Sequence, residues 1–161
     1  MTRILIADDH EMIRDGLCRI IEEDPTMSVV GCASSGAEAL ELSRRLRPDV
    51  VLLDLVMPGR DSLEIVDELK SWGHGIRILM LTAHSEELYA LRCLQAGADG
   101  FLSKANAGET LLDAIRNLRT DGKYISDSLA TLLAVSIGHD QPGAPHERLS
   151  AREFQVMRLM G

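Results

Sequence analysis

An acidic pair, Asp8 and Asp9, directly follows the short apolar run ILIA (4–7). A third acid, Asp54, ends the run VVLLD (50–54). Thr82 ends IRILMLT (76–82), and Lys104 closes DGFLSK (99–104). Three carboxylates brought together repel one another and need a counter-charge, and ligands that are all oxygen select a hard cation such as Mg²⁺. The Lys104 ammonium adds a point charge suited to a phosphoryl oxygen, and the Thr82 hydroxyl can donate a hydrogen bond to another. In such a setting a carboxylate like Asp54 acts as a nucleophile and forms an aspartyl-phosphate. Metal and lysine then neutralise charge on the equatorial oxygens of the transition state.

Taken singly, these residues are ordinary. Asp8 or Asp9 reads as a helix cap, and Asp54 as the start of a Met-Pro-Gly turn. Thr82 reads as a β-branched strand residue, and Lys104 as a solvated lysine. The functional reading rests on their joint placement, which depends on the elements that carry them. The runs ILIA, SVVGCAS (28–34), VVLLD, IRILMLT and DGFLSK alternate with amphipathic stretches. Several runs are continuously apolar, as strands buried on both faces of a parallel sheet are. Ile13, Leu17, Ile20 and Ile21 share one helical face, as do Ala39, Leu42 and Leu46, and Leu111, Ala114, Ile115 and Leu118. Ser35 with Glu38, Asp61 with Glu64, and Asn106 with Glu109 resemble capping boxes. The pattern predicts an α/β fold, a doubly wound five-stranded parallel sheet of (βα)5 type. In such a sheet ligands bind outside the carboxyl ends of the strands, where all five residues fall.

Composition limits the rest. The chain has 161 residues, a formal net charge of -8 and only 3% aromatics. Bulk charge of that sign does not attract nucleic acid, and so few aromatics make no stacking platform. Cys18, Cys32 and Cys93 form no CxxC and are odd in number, which argues against a disulfide framework or a zinc site. Each lies in an apolar run and reads as a small buried thiol. No apolar run approaches the ~20 residues of a membrane span, and MTRILIADDH lacks the form of a signal peptide. A cytoplasmic protein is expected.

The (βα)5 unit is predicted to span 1–122 and a linker 123–147, with a helix over 126–137 carrying Leu129, Leu132, Leu133 and Ile137. The segment GHDQPGAPHER is rich in Gly and Pro. In 148–161, LSAREFQVMRLMG follows Arg148 with a capping box at Ser150 and Glu153, and Arg148, Arg152 and Arg158 make it locally basic. A lone helix cannot bury its apolar face, so this stretch reads as the opening of a second domain.

ILIADDH, VVLLDLVMPG, MLTAH and GADGFLSK together resemble the CheY-like receiver domain of two-component response regulators. LSAREFQVMRLMG is similar to the opening of a LuxR-type helix-turn-helix, so the whole resembles a NarL/FixJ-type transcriptional regulator. The resemblance implies that Asp54 accepts a phosphoryl group from a sensor histidine kinase. Asp8 and Asp9 would hold Mg²⁺ with Asp54 and the backbone carbonyl of Val56. Lys104 would contact the phosphoryl group. Thr82 and Phe101 would form the switch, against the simpler reading of Phe101 as a fixed core aromatic. It further implies no turnover of external substrates, a possible homodimer on phosphorylation, and DNA binding only through the full helix-turn-helix domain. His10 is not expected to ligate the metal. Ala83 would leave room beside the site, and His84 would lie near its mouth.

Two departures stand out. Ser62 occupies a position that is usually Gly in the family, and Ala105 follows the lysine where many receivers have Pro. Other classes fit less well. A phosphatase built on a nucleophilic Asp usually carries a second acid two residues on, where this chain has Val56. In a flavodoxin-like cofactor binder, acidic ADDHE would repel a phosphate. A phosphorylation-independent scaffold remains the alternative, with intact Asp54, Thr82 and Lys104 arguing against it.

Overall fold

The structure, a computed structural model, describes residues 1–82 and 86–124. Strands and helices alternate: β1 (Thr2–Ala7), α1 (Glu11–Glu22), β2 (Met27–Ala33), α2 (Gly36–Leu46), β3 (Val50–Asp54), α3 (Ser62–Ser71), β4 (Arg77–Thr82), α4 (Glu86–Ala96), β5 (Gly100–Ser103) and α5 (Ala107–Asp121). The strands form one parallel sheet in the order β2-β1-β3-β4-β5. The chain winds outward from β1 to β2, then crosses to β3 on the other side of β1. That reversal opens a crevice at the carboxyl ends of β1 and β3, so topology alone sets Asp8, Asp9 and Asp54 side by side.

Strand alternation divides the core. Ile4, Ile6, Val50, Leu52, Leu79, Leu81 and Leu102 pack with Leu17 and Ile21 of α1 and Leu111, Ala114, Ile115 and Leu118 of α5. Leu5 points the other way, toward Leu46 at the end of α2. Helices cover both faces, which is why every residue of β3 is buried although none alternates with a polar one. Each fully buried Leu or Ile contributes about 1.5–3 kcal/mol.

Helix starts differ in detail from the capping boxes expected. Ser35 Oγ accepts from the backbone N–H of Glu38, but Glu38 reaches back to Ser34 rather than Ser35. Asp61 caps Leu63, while Glu64 turns outward toward Arg60. Before α5, Lys104–Asn106 form a 3₁₀ turn, and its cap is Ser103, whose Oγ accepts from the Ala105 N–H at 3.3 Å. A proline at 105 could not make that bond.

The edge strand β2 departs from the sequence pattern most. Its middle residues are only half-buried. Ile4 pairs with Val29 but Leu5 with Gly31, leaving Val30 as an extra residue. Such a bulge reverses the alternation beyond it, so Val29 and Cys32 both lie on the α1 side of the sheet. The expectation of three buried thiols is corrected accordingly: Cys93 is buried, Cys18 half-buried and Cys32 exposed.

Beyond α5, Tyr124 pairs with Gly100 in a short parallel bridge and rests against the α1/α5 core. The expected helix at 126–137, the linker and the basic segment 148–161 lie outside the described residues, as do Ala83 and His84. Among the described residues no helix is long and apolar enough to cross a membrane.

Candidate functional site

β1 stops at Ala7 and delivers Asp8 into the crevice, with no part of its surface exposed. The Asp8 N–H donates to the Ala33 carbonyl at 3.0 Å, which holds it as a continuation of the sheet. Asp8 Oδ1 accepts from the His10 N–H at 2.8 Å, and the Arg14 guanidinium donates to the Asp8 carbonyl at 2.7 Å. The cap of α1 is His10, which offers no side-chain bond to the helix. Neither Asp8 nor Asp9 therefore serves as that helix's cap.

β3 delivers Asp54, which is 3% exposed. Its Oδ1 accepts from the Val56 N–H at 3.3 Å, and its carbonyl accepts from Ser62 Oγ at 2.7 Å. The Val56 side chain stands in solvent. β5 delivers Lys104, whose Nζ lies 2.7 Å from Asp8 Oδ2 and 3.3 Å from Asp54 Oδ2. Thr82 ends β4, buried, and pairs in register with Ser103, the residue before that lysine. Phe101 is fully enclosed on β5, opposite Met80.

The charges act on one another. Burial, then the neighbouring Asp8 charge, raises the Asp54 carboxyl above the ordinary carboxylate range, and Lys104 offsets this only in part. Burial works against the charge on Lys104, but its contacts with Asp8 and the charge of Asp54 outweigh that and raise its pKa. One ammonium thus serves two buried carboxylates, with Asp9 at the rim.

This set fits a hard cation. Asp8 Oδ2 is buried and paired with Lys104 by charge, yet it receives no aligned hydrogen bond. Asp8, Asp9, His10 and Asp54 each offer a ligand atom, all within 4.8 Å of one another. Carboxylate oxygens of this kind suit Mg²⁺. His10 Nδ1 sits 3.1 Å from Asp8 Oδ1 and equally from Asp9 Oδ1.

The sequence marks Ser62 only as a departure from the usual Gly and gives Arg14 no role. Ser62 is 2% exposed at the start of α3 and anchors the Asp54 carbonyl. Arg14 lies one turn into α1 and anchors the Asp8 carbonyl. No one-dimensional signal marks either, because both partners are main-chain atoms on another element.

Residues 4–116 match the family model described as the response regulator receiver domain. Response regulator UvrY of Escherichia coli K12 is 37% identical over 161 residues, 99% of this chain and 74% of that protein. Response regulator GacA of Pseudomonas aeruginosa is 36% identical over 161 residues, 99% of this chain and 75% of that one. Among solved structures, a LuxR-family two-component response regulator from Aurantimonas sp. superposes with a TM-score of 0.77 at 33% identity, covering 86% of this chain and 99% of that chain. The receiver domain of the putative response regulator NarL from Mycobacterium tuberculosis gives 0.65 at 36% identity, covering 71% and 96%. With its parallel sheet, its acidic crevice and these likenesses, the chain belongs to the two-component response regulators of the NarL/FixJ, LuxR-type family.

Proposed function

We propose that Asp54 is the phosphoacceptor of this receiver and that a sensor histidine kinase is the donor. One observation carries this reading: Lys104 bridges the buried carboxylates of Asp8 and Asp54 at the carboxyl edge of the sheet. One Asp54 oxygen attacks phosphorus in line, and the P–N bond to the kinase imidazole breaks with its electron pair returning to nitrogen. Asp8, Asp9, Asp54 and the backbone carbonyl of Val56 would hold Mg²⁺, which supplies charge neutralisation for the transferring group. Lys104 moves from bridging two carboxylates to contacting a phosphoryl oxygen. Thr82 donates its hydroxyl to another, and Phe101 repacks with it. Ser62 fixes the main chain of Asp54, so the nucleophile does not drift when its side chain is modified.

The same reading assigns residues 1–122 to the receiver, 123–147 to a linker with a helix over 126–137, and 148–161 to the start of a helix-turn-helix domain. Phosphorylation then regulates transcription through that domain, with DNA contacted only by its full-length form and a homodimer as its phosphorylated state. The protein works in the cytoplasm and turns over only its own phosphoryl group. A phosphorylation-independent scaffold is the rival.

The test is intact mass after incubation with Mg²⁺ and acetyl phosphate. A single acid-labile phosphoryl adduct, lost in Asp54→Ala and in EDTA, is expected. An adduct that survives in Asp54→Ala moves the acceptor elsewhere. No adduct, together with no binding of beryllofluoride, leaves the scaffold.

A further inference from the structure

The pair Cys18 and Cys32 is used by nothing in the site above. Cys18 lies on α1, eight residues past its cap His10, about 12 Å along the helix axis. Cys32 lies on the edge strand β2. Their sulfurs are 3.9 Å apart. The juxtaposition depends on the bulge at Val30. In an unbroken strand Cys32 would share a face with Val30 and point toward α2. With the bulge, Cys32 pairs with Ile6, an α1-side core residue, and turns toward α1. The third cysteine, Cys93, is fully buried in α4.

We propose that Cys18 and Cys32 are a redox-sensitive pair that closes to an intrachain disulfide when a hydroperoxide is the oxidant. Cys32 is the more exposed residue of the pair, so it reacts first. Its thiolate attacks the peroxide, the O–O bond breaks, and a sulfenic acid forms with release of water or an alcohol. Cys18 then attacks the Cys32 sulfur. The S–O bond breaks, and hydroxide leaves with the Cys18 proton as water. Overall two thiols lose two hydrogens and the peroxide is reduced. Burial and the neighbouring thiol push Cys18 up to about 11. That suits a resolving partner, which waits protonated, better than a first nucleophile. Burial pushes Cys93 up to about 12 and keeps it out of the chemistry. From 3.9 Å the sulfurs must close to about 2.05 Å. The bond would tie α1 to the free edge of the sheet.

The test uses the 161-residue chain, fully reduced, freed of reductant, exposed to hydrogen peroxide and quenched by alkylation. Intact mass and non-reducing peptide mapping are the readouts. Wild type and Cys93→Ser are expected to lose two hydrogens and to yield one linked peptide pair, Cys18 with Cys32. Cys18→Ser should stall with oxygen added at Cys32. Cys32→Ser should consume peroxide at least about tenfold more slowly, because the exposed thiol is gone. Dimers linked through Cys32, a Cys93 partner, or an unlinked and over-oxidised Cys32 in wild type would each overturn the proposal.

Discussion

Replacing Lys104 by Met keeps the side-chain stem and removes the charge. At an effective dielectric of about 20, its contacts with Asp8 and Asp54 at 2.7 and 3.3 Å amount to about 6 and about 5 kcal/mol. Much of that offsets the desolvation of a lysine side chain only 14% exposed. What remains in the variant is two buried carboxylates with no cation between them. Breaking a buried pair from one side costs about 3–5 kcal/mol. Water can enter past exposed His10 and the rim carboxylate of Asp9, so the low end, about 3 kcal/mol, is expected. With a urea slope of about 2 kcal/mol per molar, the midpoint falls by about 1.5 M.

The assay is urea unfolding in EDTA and again in saturating Mg²⁺. If the carboxylates are what the lysine neutralises, a bound divalent ion can take over that task. The gap between variant and wild type should then shrink to less than half, and the variant should bind Mg²⁺ more tightly than wild type by the same free energy. Equal midpoints in EDTA would show that Lys104 carries no structural charge here. Midpoints that Mg²⁺ leaves unmoved in both proteins would show that the ion does not bind at Asp8 and Asp54, and equal stabilisation of both would show that Lys104 and the ion do not share a task.

Ser62→Ala removes the bond to the Asp54 carbonyl and leaves a buried acceptor, so a loss of about 1–2 kcal/mol is expected in urea melts; a loss under about 0.5 kcal/mol would mean water replaces the hydroxyl. Asp54→Asn removes a buried carboxylate held above its ordinary pKa by burial and Asp8, so in EDTA its thermal midpoint should exceed that of wild type. Asp24 is held down to about 2 by its bonds to Thr26 and then Arg116. A depressed carboxyl contributes stability that is present above its ordinary value of 3.8 and is lost as pH falls toward about 2. In Arg116→Ala the acid-unfolding midpoint should therefore move up in pH; an unmoved midpoint would clear the pair of any role.

Much of this was legible in the residues because the fold repeats one rule. The run VVLLD can only be a strand covered on both sides, and β3 is Val50–Asp54 to the residue. Once five such strands are parallel, their carboxyl ends share an edge, and Asp8, Asp54, Thr82 and Lys104 gather there without further information. Details set by one residue against another element were not legible. The Val30 bulge has no composition signal, yet it decides that Cys32 is exposed beside Cys18. The 3₁₀ turn at Lys104–Asn106 replaced a simple cap because Ser103 competes for the Ala105 N–H. The shift of Glu38 from Ser35 to Ser34 is a choice between two adjacent donors that propensity does not separate.

Phosphorylation of Asp54 should be felt at one edge of the sheet. A phosphoryl group gives Asp54 a charge of about -1.5 to -2 in place of -1, in a site with one ammonium. The groups proposed to answer it, Lys104 and Thr82, stand at the ends of β5 and β4. β1 and β3 are interior strands, and the buried residues of β1 and β3 leave them little freedom. β5 is an edge strand of four residues. Phe101 lies in its middle, and among the described residues the single bridge from Gly100 to Tyr124 lies beyond it. Side chains that must move should therefore take β5 with them, and the pull should reach Tyr124, from which the chain runs on toward 125–161. Hydrogen exchange with and without beryllofluoride and Mg²⁺ tests this. Amides of residues 100–104 and 124 should change protection, while those of β2, the opposite edge, should not. Changes concentrated in β2 and α1 would place the switch on the wrong side of the sheet and refute the assignment of Thr82 and Phe101.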